Sequence, residues 1–496
     1  MKRLVIIGAG ISGLCAAHEA ARHRGEVAEG LEILVLEASP AVGGKARTIK
    51  RDGWLVETGP AGYLDNEPEF AELLARIGIG DEKIEANEAA ARRYLLHGRL
   101  REVKANPLAF ARSGIVGPAG LLRMMAEPFI PRAAPERAET ESIWDFARRR
   151  LGVEAADKLI APMVLGVFAG DARRLSVSAC FPRLVALERD HGSLIRGMIA
   201  TRKKRARDQR FSSGPSGKLV SFRHGLQSVA VALADSDEFT VRCDARVKGI
   251  EAVTTTLEAA TATLGTVTMA DKGSDRGSPR YRVLVGGDAA PIEANAVIAA
   301  GEAFANADAV ADIAPAIAAA LREIATPPVV VVSLGFKPQA ASSFPTGFGV
   351  LIPRDQGYRI LGSIWDSQLF PGRSPEGHVL VRAMLGGSVD PEVAALDDDA
   401  LVKLVRDELA GIFGLTSAPV FAEVTNWRRA IPQYDLEHPS RVARIEAALE
   451  HVPGLFLAGN GLHGVAFSTS AVTGMRQGRR AALWLAGATN VTATDR

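Results

Sequence analysis

The residues Leu4-Val5-Ile6-Ile7 form an unbroken apolar run closed by glycine. A run that short predicts a strand buried on both faces. Residues 14–24 have helical composition, and 33–36 repeat the short apolar run, so the chain opens strand, helix, strand. Near the far end, 455–457 predict a returning strand, and the amphipathic stretch from Ala466 onward predicts a long helix. Between these ends, strands are expected over 218–222, 239–243 and 245–251, then over 329–336, 348–352, 358–364 and 379–384, with a helix over 401–413. Residues 92–205 are mostly helical in pattern. Ser142 stands ahead of an apolar-periodic run that ends in Arg148-Arg149-Arg150-Leu151-Gly152, a helix start and a helix stop. Residues 254–280 are rich in Thr, Ala, Gly and Asp and lie between two strand-like runs, which predicts an exposed hairpin insertion. No fixed-period repeat is visible.

The length of 496 residues suggests roughly three domains. With 47% apolar and 23% charged residues the chain is ordinary globular material. Lys and Arg number 59 against 57 Asp and Glu, a formal charge of +2, which disfavours a nucleic-acid partner. Cys15, Cys180 and Cys243 are odd in number, widely separated and without metal spacing. They predict reduced thiols in a cytoplasmic setting, with no disulfide framework and no metal. No apolar run is long enough for a membrane-spanning helix. Met1-Lys2-Arg3 ahead of the first apolar run has the outline of a secretory leader, but Gly8, Gly10, Ser12 and Gly13 interrupt it, so none is expected. Residues 107–131 are apolar and glycine-punctuated. They suit a core or lid helix, or a surface that dips into a bilayer interface. The basic run 202–207 suits a solvated loop, or one drawn to anionic headgroups.

Gly8-Ala9-Gly10-Ile11-Ser12-Gly13 is a G-x-G-x-x-G turn set between the first strand and the first helix. Gly8 permits the tight turn, Gly10 lets backbone approach a pyrophosphate, and Gly13 lets helix and strand pack closely. The helix N-terminus offers free N–H groups and a positive dipole end to phosphate. Glu37 follows the second strand at the spacing of a ribose-binding acid. Such an acid favours FAD or NAD over NADP, whose 2′-phosphate it would repel.

Gly43-Gly44-Lys45-Ala46-Arg47-Thr48 and Glu57-Thr58-Gly59-Pro60 follow closely, and Ala458-Gly459-Asn460-Gly461 ends the last strand. These clusters resemble the flavin-containing amine oxidase superfamily. The resemblance implies FAD as cofactor, with G-G-[KR] and E-x-G-P lying along the flavin. It implies an α/β (α+β) fold: a Rossmann-type FAD-binding domain from discontinuous segments (1–65, 208–300 and 420–496), a mixed-sheet substrate domain (66–91 and 301–419), and a helical lid or membrane-facing domain (92–207).

A narrower resemblance rests on Gly166-Val167-Phe168-Ala169-Gly170-Asp171, Cys180-Phe181-Pro182, Gly192-Ser193-Leu194, Gly347-Phe348-Gly349-Val350-Leu351, Asp366-Ser367, Met384-Leu385-Gly386-Gly387-Ser388 and Ile431-Pro432-Gln433-Tyr434. Over nearly the whole chain these are similar to the oxygen-dependent, flavin-containing porphyrinogen oxidases of haem synthesis. One segment departs: Gly464-Val465-Ala466-Phe467-Ser468-Thr469-Ser470 lacks the Asp-Cys pair common there. The resemblance implies that Arg93 pairs with a substrate propionate, since an arginine fork suits a carboxylate. It implies that Phe348, Leu351, Ile364 and Met384 clamp the macrocycle, and that the Gly166 backbone faces the reacting edge. Val247, Asn460, Val465, Ala466 and Phe467 join the cofactor contacts.

The implied reaction is six-electron oxidation of protoporphyrinogen IX to protoporphyrin IX, in three rounds, with molecular oxygen as acceptor and hydrogen peroxide formed. Coproporphyrinogen III is the alternative substrate. A flavin-free binding protein on the same fold is the alternative of another class. Peripheral contact with an anionic membrane and a homodimer complete the expectations.

Overall fold

The computed structural model describes the chain except residues 105, 135–136, 138–139, 208–216, 254–277, 279, 288–289 and 488–496, and except the side chains of 202–207. A five-stranded sheet runs in the order Thr240–Arg242, Leu31–Leu36, Lys2–Ile7, Ala296–Ala299 and Leu455–Leu457. Every pairing in it is parallel. The opening apolar run serves both faces: Leu4 and Ile6 enter one core cluster, while Val5 enters the other. That is why the run does not alternate with polar residues. Helices Ile11–Arg22 and Phe467–Ala486 cover the first face. They nearly touch. A Cβ at Gly474 would lie 2.1 Å from the Ser12 carbonyl oxygen, and one at Gly478 2.1 Å from that of Ala16. Helices Ala303–Ala309 and Pro315–Arg322 cover the second face.

The second large sheet has seven strands in the order Phe421–Trp427, Val329–Phe336, Val379–Gly386, Gly362–Ile364, Gly349–Leu351, Arg93–His97 and Arg99–Val103. It is mixed, with Gly349–Leu351 and Arg93–His97 the parallel pair. Val330, Val332, Leu334 and Phe336 point from one face onto Leu401, Val405 and Leu409 of helix Asp398–Phe413. The other face carries Val329, Val331 and Met384 against Leu165 and Ala169 of the helical region.

Three expectations need correction. Lys218–Phe222 is a strand, but it pairs with Tyr63–Asp65 and Lys83–Glu85 in a separate small sheet, not in the cofactor sheet. Residues 93–103, expected to open the helical unit, form a hairpin on the mixed sheet. Phe421–Trp427, expected in the cofactor domain, is the opposite edge of that same sheet. Apolar alternation marks a strand without saying which sheet it joins. Val247–Ala252 and Tyr281–Val285 do form a hairpin; its expected tip over 254–277 lies outside the described residues.

The helical region contains Ile143–Leu151, Ala161–Phe168, Pro182–His191 and Leu194–Arg207. Ser142 caps the first, its hydroxyl accepting from the Asp145 N–H at 3.0 Å. The basic run 202–207 is helical in its backbone rather than a loop. Glu127 and Arg150 are fully buried and paired. Glu127 also accepts the Ser193 hydroxyl (2.6 Å) and the Leu194 N–H (2.9 Å), which caps the last of these helices. The short helices Pro107–Ala111 and Pro118–Met125 contain no buried residue, so they are not core. Among the described residues no helix is long and apolar enough to cross a membrane.

Candidate functional site

The glycine turn takes the form its spacing requires. Gly8 has φ +102° and donates its N–H to the Leu36 carbonyl at 2.7 Å. A Cβ at Gly13 would lie 1.9 Å from the Gly8 carbonyl oxygen, so helix and strand meet there. Gly10 is different: no atom lies within 4 Å of where its Cβ would be. Packing therefore leaves space above Gly10, and the helix beginning at Ile11 has no side-chain cap and no acid in its first turn. Glu37 sits beside the turn, accepting the Ala9 N–H (2.7 Å), the Ser39 N–H (2.8 Å) and the Ser39 hydroxyl (2.7 Å). Ser12 donates to the Ser470 carbonyl at 2.9 Å, which ties the turn to the C-terminal helix.

The second glycine cluster lies against the first. The Gly43 N–H donates to the Ala9 carbonyl at 2.9 Å, and a Cβ at Gly44 would sit 3.4 Å from the Gly10 Cα. Lys45 Nζ meets the Glu302 carboxylate and donates to the Ala430 carbonyl at 2.6 Å. Burial pulls this ammonium down to about 8.

Glu57 is buried. It accepts the Thr48 hydroxyl (2.8 Å) and the Leu226 N–H (2.9 Å) and lies 3.8 Å from Arg373. Burial raises its carboxyl despite Arg373. The backbone after it turns towards the mixed sheet: Arg382 donates to the Glu57 and Gly59 carbonyls (3.2 and 2.6 Å), and the Trp427 indole donates to that of Thr58 (2.7 Å). Pro60 is exposed.

On the C-terminal side, Gly459 has φ +102° and the Asn460 carbonyl accepts the Tyr434 hydroxyl at 2.6 Å. His438 stacks on Tyr434, with ring centroids 3.9 Å apart, and donates from Nε2 to the Leu462 carbonyl at 3.0 Å. Burial lowers the His438 imidazole to about 4. Ala466 caps the final helix, Val465 packs on the helical region, and the Phe467 ring is buried between Tyr63 and Phe70. Phe467 therefore has only its backbone to offer a ligand. In the departing segment the Ser470 hydroxyl donates to the Gly464 carbonyl at 2.8 Å and closes the turn itself. Val247 is half-buried at the bulged start of its hairpin.

Four of the five expected substrate residues share a surface, and Phe348, one residue before the strand Gly349–Leu351, stands outside its rows. In register, Arg93, Gly349, Ile364 and Arg382 form one row across four strands. Two residues along, Leu95, Leu351, Gly362 and Met384 form the next. Residues opposite one another, or two apart, point to the same face. Leu351, Ile364 and Met384 thus line the face that meets the helical region, each half-buried. A Cβ at Gly166 would lie 2.3 Å from Leu351 Cδ2, so this glycine is where the helical region closes on the wall. The exposed Arg93 guanidinium lies 5.5 Å from the Phe348 ring.

Arg382, Arg373, Trp427, Glu302 and His438 carried no motif signal. The one available clue was Arg382 itself, a charge inside the apolar run 379–386, where a buried ion must find partners.

A dinucleotide turn with space above Gly10, a second glycine cluster against it and a facing mixed-sheet wall define a flavoprotein oxidoreductase architecture. The profile of the flavin containing amine oxidoreductases matches residues 11–483. Coproporphyrinogen III oxidase of Bacillus subtilis is 29% identical over 474 residues, covering 94% of each chain. The chloroplastic protoporphyrinogen oxidase of Nicotiana tabacum is 31% identical over 479 residues, covering 93% of this chain and 82% of that protein. The crystal structure of an Exiguobacterium sp. protein described as a protoporphyrinogen oxidase superposes with a TM-score of 0.78 at 24% identity, over 97% of this chain and 99% of the other. Cyclohexylamine oxidase from Brevibacterium oxydans shares the fold at a TM-score of 0.65 and 17% identity, over 98% of each chain. The chain belongs to the flavin-containing amine oxidoreductases and, within them, to the porphyrinogen oxidases. Its cofactor is FAD, and the open approach to Gly10 and the uncapped helix above it fit a pyrophosphate.

Proposed function

We propose that this protein oxidises protoporphyrinogen IX to protoporphyrin IX, with molecular oxygen as the final acceptor. The observation that carries the reading is the shared face of Arg93, Leu351, Ile364 and Met384, an apolar wall whose exposed cation, Arg93, stands at one end, the other cation of the face, Arg382, being buried. A porphyrinogen has the same polarity, a broad apolar ring with carboxylates on one edge. Arg93 is the propionate anchor, and the wall holds the ring flat by excluding water from its faces.

The bound flavin supplies hydride acceptance in each of three two-electron rounds. The chain's own task is orientation. Pyrrole nitrogens stabilise the cation left when a bridge carbon loses hydride, so no strong base is demanded. Of the wall residues named above, only Arg93 and Arg382 are ionisable, and neither is a base at neutral pH.

A second reading has its own observation. Arg99 and Arg101 lie on the same strand face as Arg93. With Lys104 and Arg112 they line a hollow beside helix Pro107–Ala111. Glu102 lines it too and pairs with Lys104 at 3.0 Å, which leaves three arginines to favour a substrate with more carboxylates than two, namely coproporphyrinogen III. Porphyrin fluorescence in air, after adding either porphyrinogen to FAD-loaded protein, decides between them. A higher kcat/KM for protoporphyrinogen supports the first reading, and the reverse supports the second.

The reading extends to a surface. Leu108, Leu122 and Met125 on the short helices, and Phe129 in the helical turn Glu127–Phe129 that follows, are 63, 68, 72 and 82% exposed. With the basic hollow beside them they suit peripheral contact with an anionic bilayer.

A further inference from the structure

Arg382 is 1% exposed in a strand that is otherwise apolar. A guanidinium out of water needs its charge and its five N–H donors matched. Its Nη2 and Nε lie 3.3 and 3.2 Å from the two oxygens of Asp366, itself 4% exposed. Its Nη1 serves the carbonyls of Glu57 and Gly59. Trp427 takes the carbonyl between them. Three consecutive carbonyls, Glu57 to Gly59, are thus turned to the mixed sheet and held by two of its side chains.

The other side of that segment is held just as closely. The Thr58 N–H donates to the Arg47 carbonyl at 3.0 Å. A Cβ at Gly59 would fall 2.2 Å from the Lys45 carbonyl oxygen. The segment is therefore clamped between the second glycine cluster and the substrate wall, with no slack on either side. Arg382 stands in the Arg93–Ile364 row and two residues before Met384. The residue that grips the segment is thereby built into the wall.

We propose that Arg382, locked by Asp366, and Trp427 are positioning residues that set the spacing between the flavin-facing segment 57–60 and the wall that holds the substrate. The proposal rests on the reading that the flavin lies along residues 43–48 and 57–60. None of the three side chains needs to touch substrate; they act through the backbone carbonyls they hold. Misplacement of a reacting edge by about 1 Å costs on the order of 100-fold in rate.

The test uses the FAD-loaded enzyme and the variants Trp427→Phe, Asp366→Asn and Arg382→Lys. Trp427→Phe removes one N–H and keeps an aromatic ring, so it is the variant least disturbing to the fold. The readouts are the visible circular dichroism of the flavin, its midpoint potential, and the rate of flavin reduction by porphyrinogen set beside KM. Expected for Trp427→Phe are retained FAD, a changed flavin dichroism, reduction slowed about 10-fold and an unchanged KM, since Arg93 still anchors the substrate. Arg382→Lys gives a larger loss and Asp366→Asn an intermediate one. Wild-type dichroism and reduction rate in Trp427→Phe overturn the proposal, whether or not Arg382→Lys folds. So do rate losses that only track lost FAD. The dichroism and the potential need no porphyrinogen, so they report on the segment even if the substrate reading fails.

Discussion

Gly10 and Gly13 lack a Cβ for different reasons, and the difference is measurable. At Gly13 the added carbon meets the Gly8 carbonyl oxygen. Gly13→Ala is therefore expected to cost more than the ~1–3 kcal/mol of ordinary overpacking and to lower Tm with or without FAD. At Gly10 the space is open, so Gly10→Ala leaves the flavin-free protein as stable as wild type and weakens FAD binding, by roughly 10- to 100-fold if the clash with cofactor costs as much as overpacking. Thermal melts with and without FAD check both. Arg93→Ala removes a charge-assisted pair and is expected to lower kcat/KM by about 10- to 100-fold, mostly through KM. These residues were legible in the sequence because their signals are local. Arg382 and Trp427 were not: their carbonyl partners are 325 and 369 residues away.

Secondary-structure elements were legible where the pattern was long or capped. The strand Val329–Phe336 and the helix Ile143–Leu151 fall where periodicity and capping place them. Sheet membership was not legible, as Lys218–Phe222 shows, because pairing depends on distant strands. The helix His438–Leu449 carries a pH signature. Burial holds the His438 imidazole near 4, below its ordinary 6.5, and Nδ1 has no hydrogen-bond partner. Between those values the unfolded chain binds a proton that the folded chain refuses. Stability therefore falls as pH drops from about 6.5 to about 4, by roughly 3 kcal/mol over the whole window. His438→Gln is expected to flatten that part of a urea-midpoint profile against pH. An unchanged slope would assign the loss to other groups.

At the scale of the whole molecule, the mixed sheet and the second glycine cluster, from distant stretches of chain, meet along the segment Glu57–Gly59, and the helical region closes on the mixed sheet at Gly166 and Leu351. The apolar residues exposed on that helical region give a further expectation. Leu122→Ser and Phe129→Ser together should weaken binding to phosphatidylglycerol-containing vesicles, each by about tenfold, from ~1.5–3 kcal/mol of apolar burial per side chain. Equal binding of wild type and variant in a sedimentation assay contradicts it. The central claim, that this fold oxidises a porphyrinogen on its own flavin, is tested most directly without oxygen. Yellow, FAD-loaded protein is mixed anaerobically with protoporphyrinogen IX, and the flavin absorbance and porphyrin fluorescence are followed together. The account predicts rapid bleaching of the flavin, with porphyrin appearing at one equivalent per three flavins reduced. A flavin that stays oxidised with both protoporphyrinogen and coproporphyrinogen contradicts it.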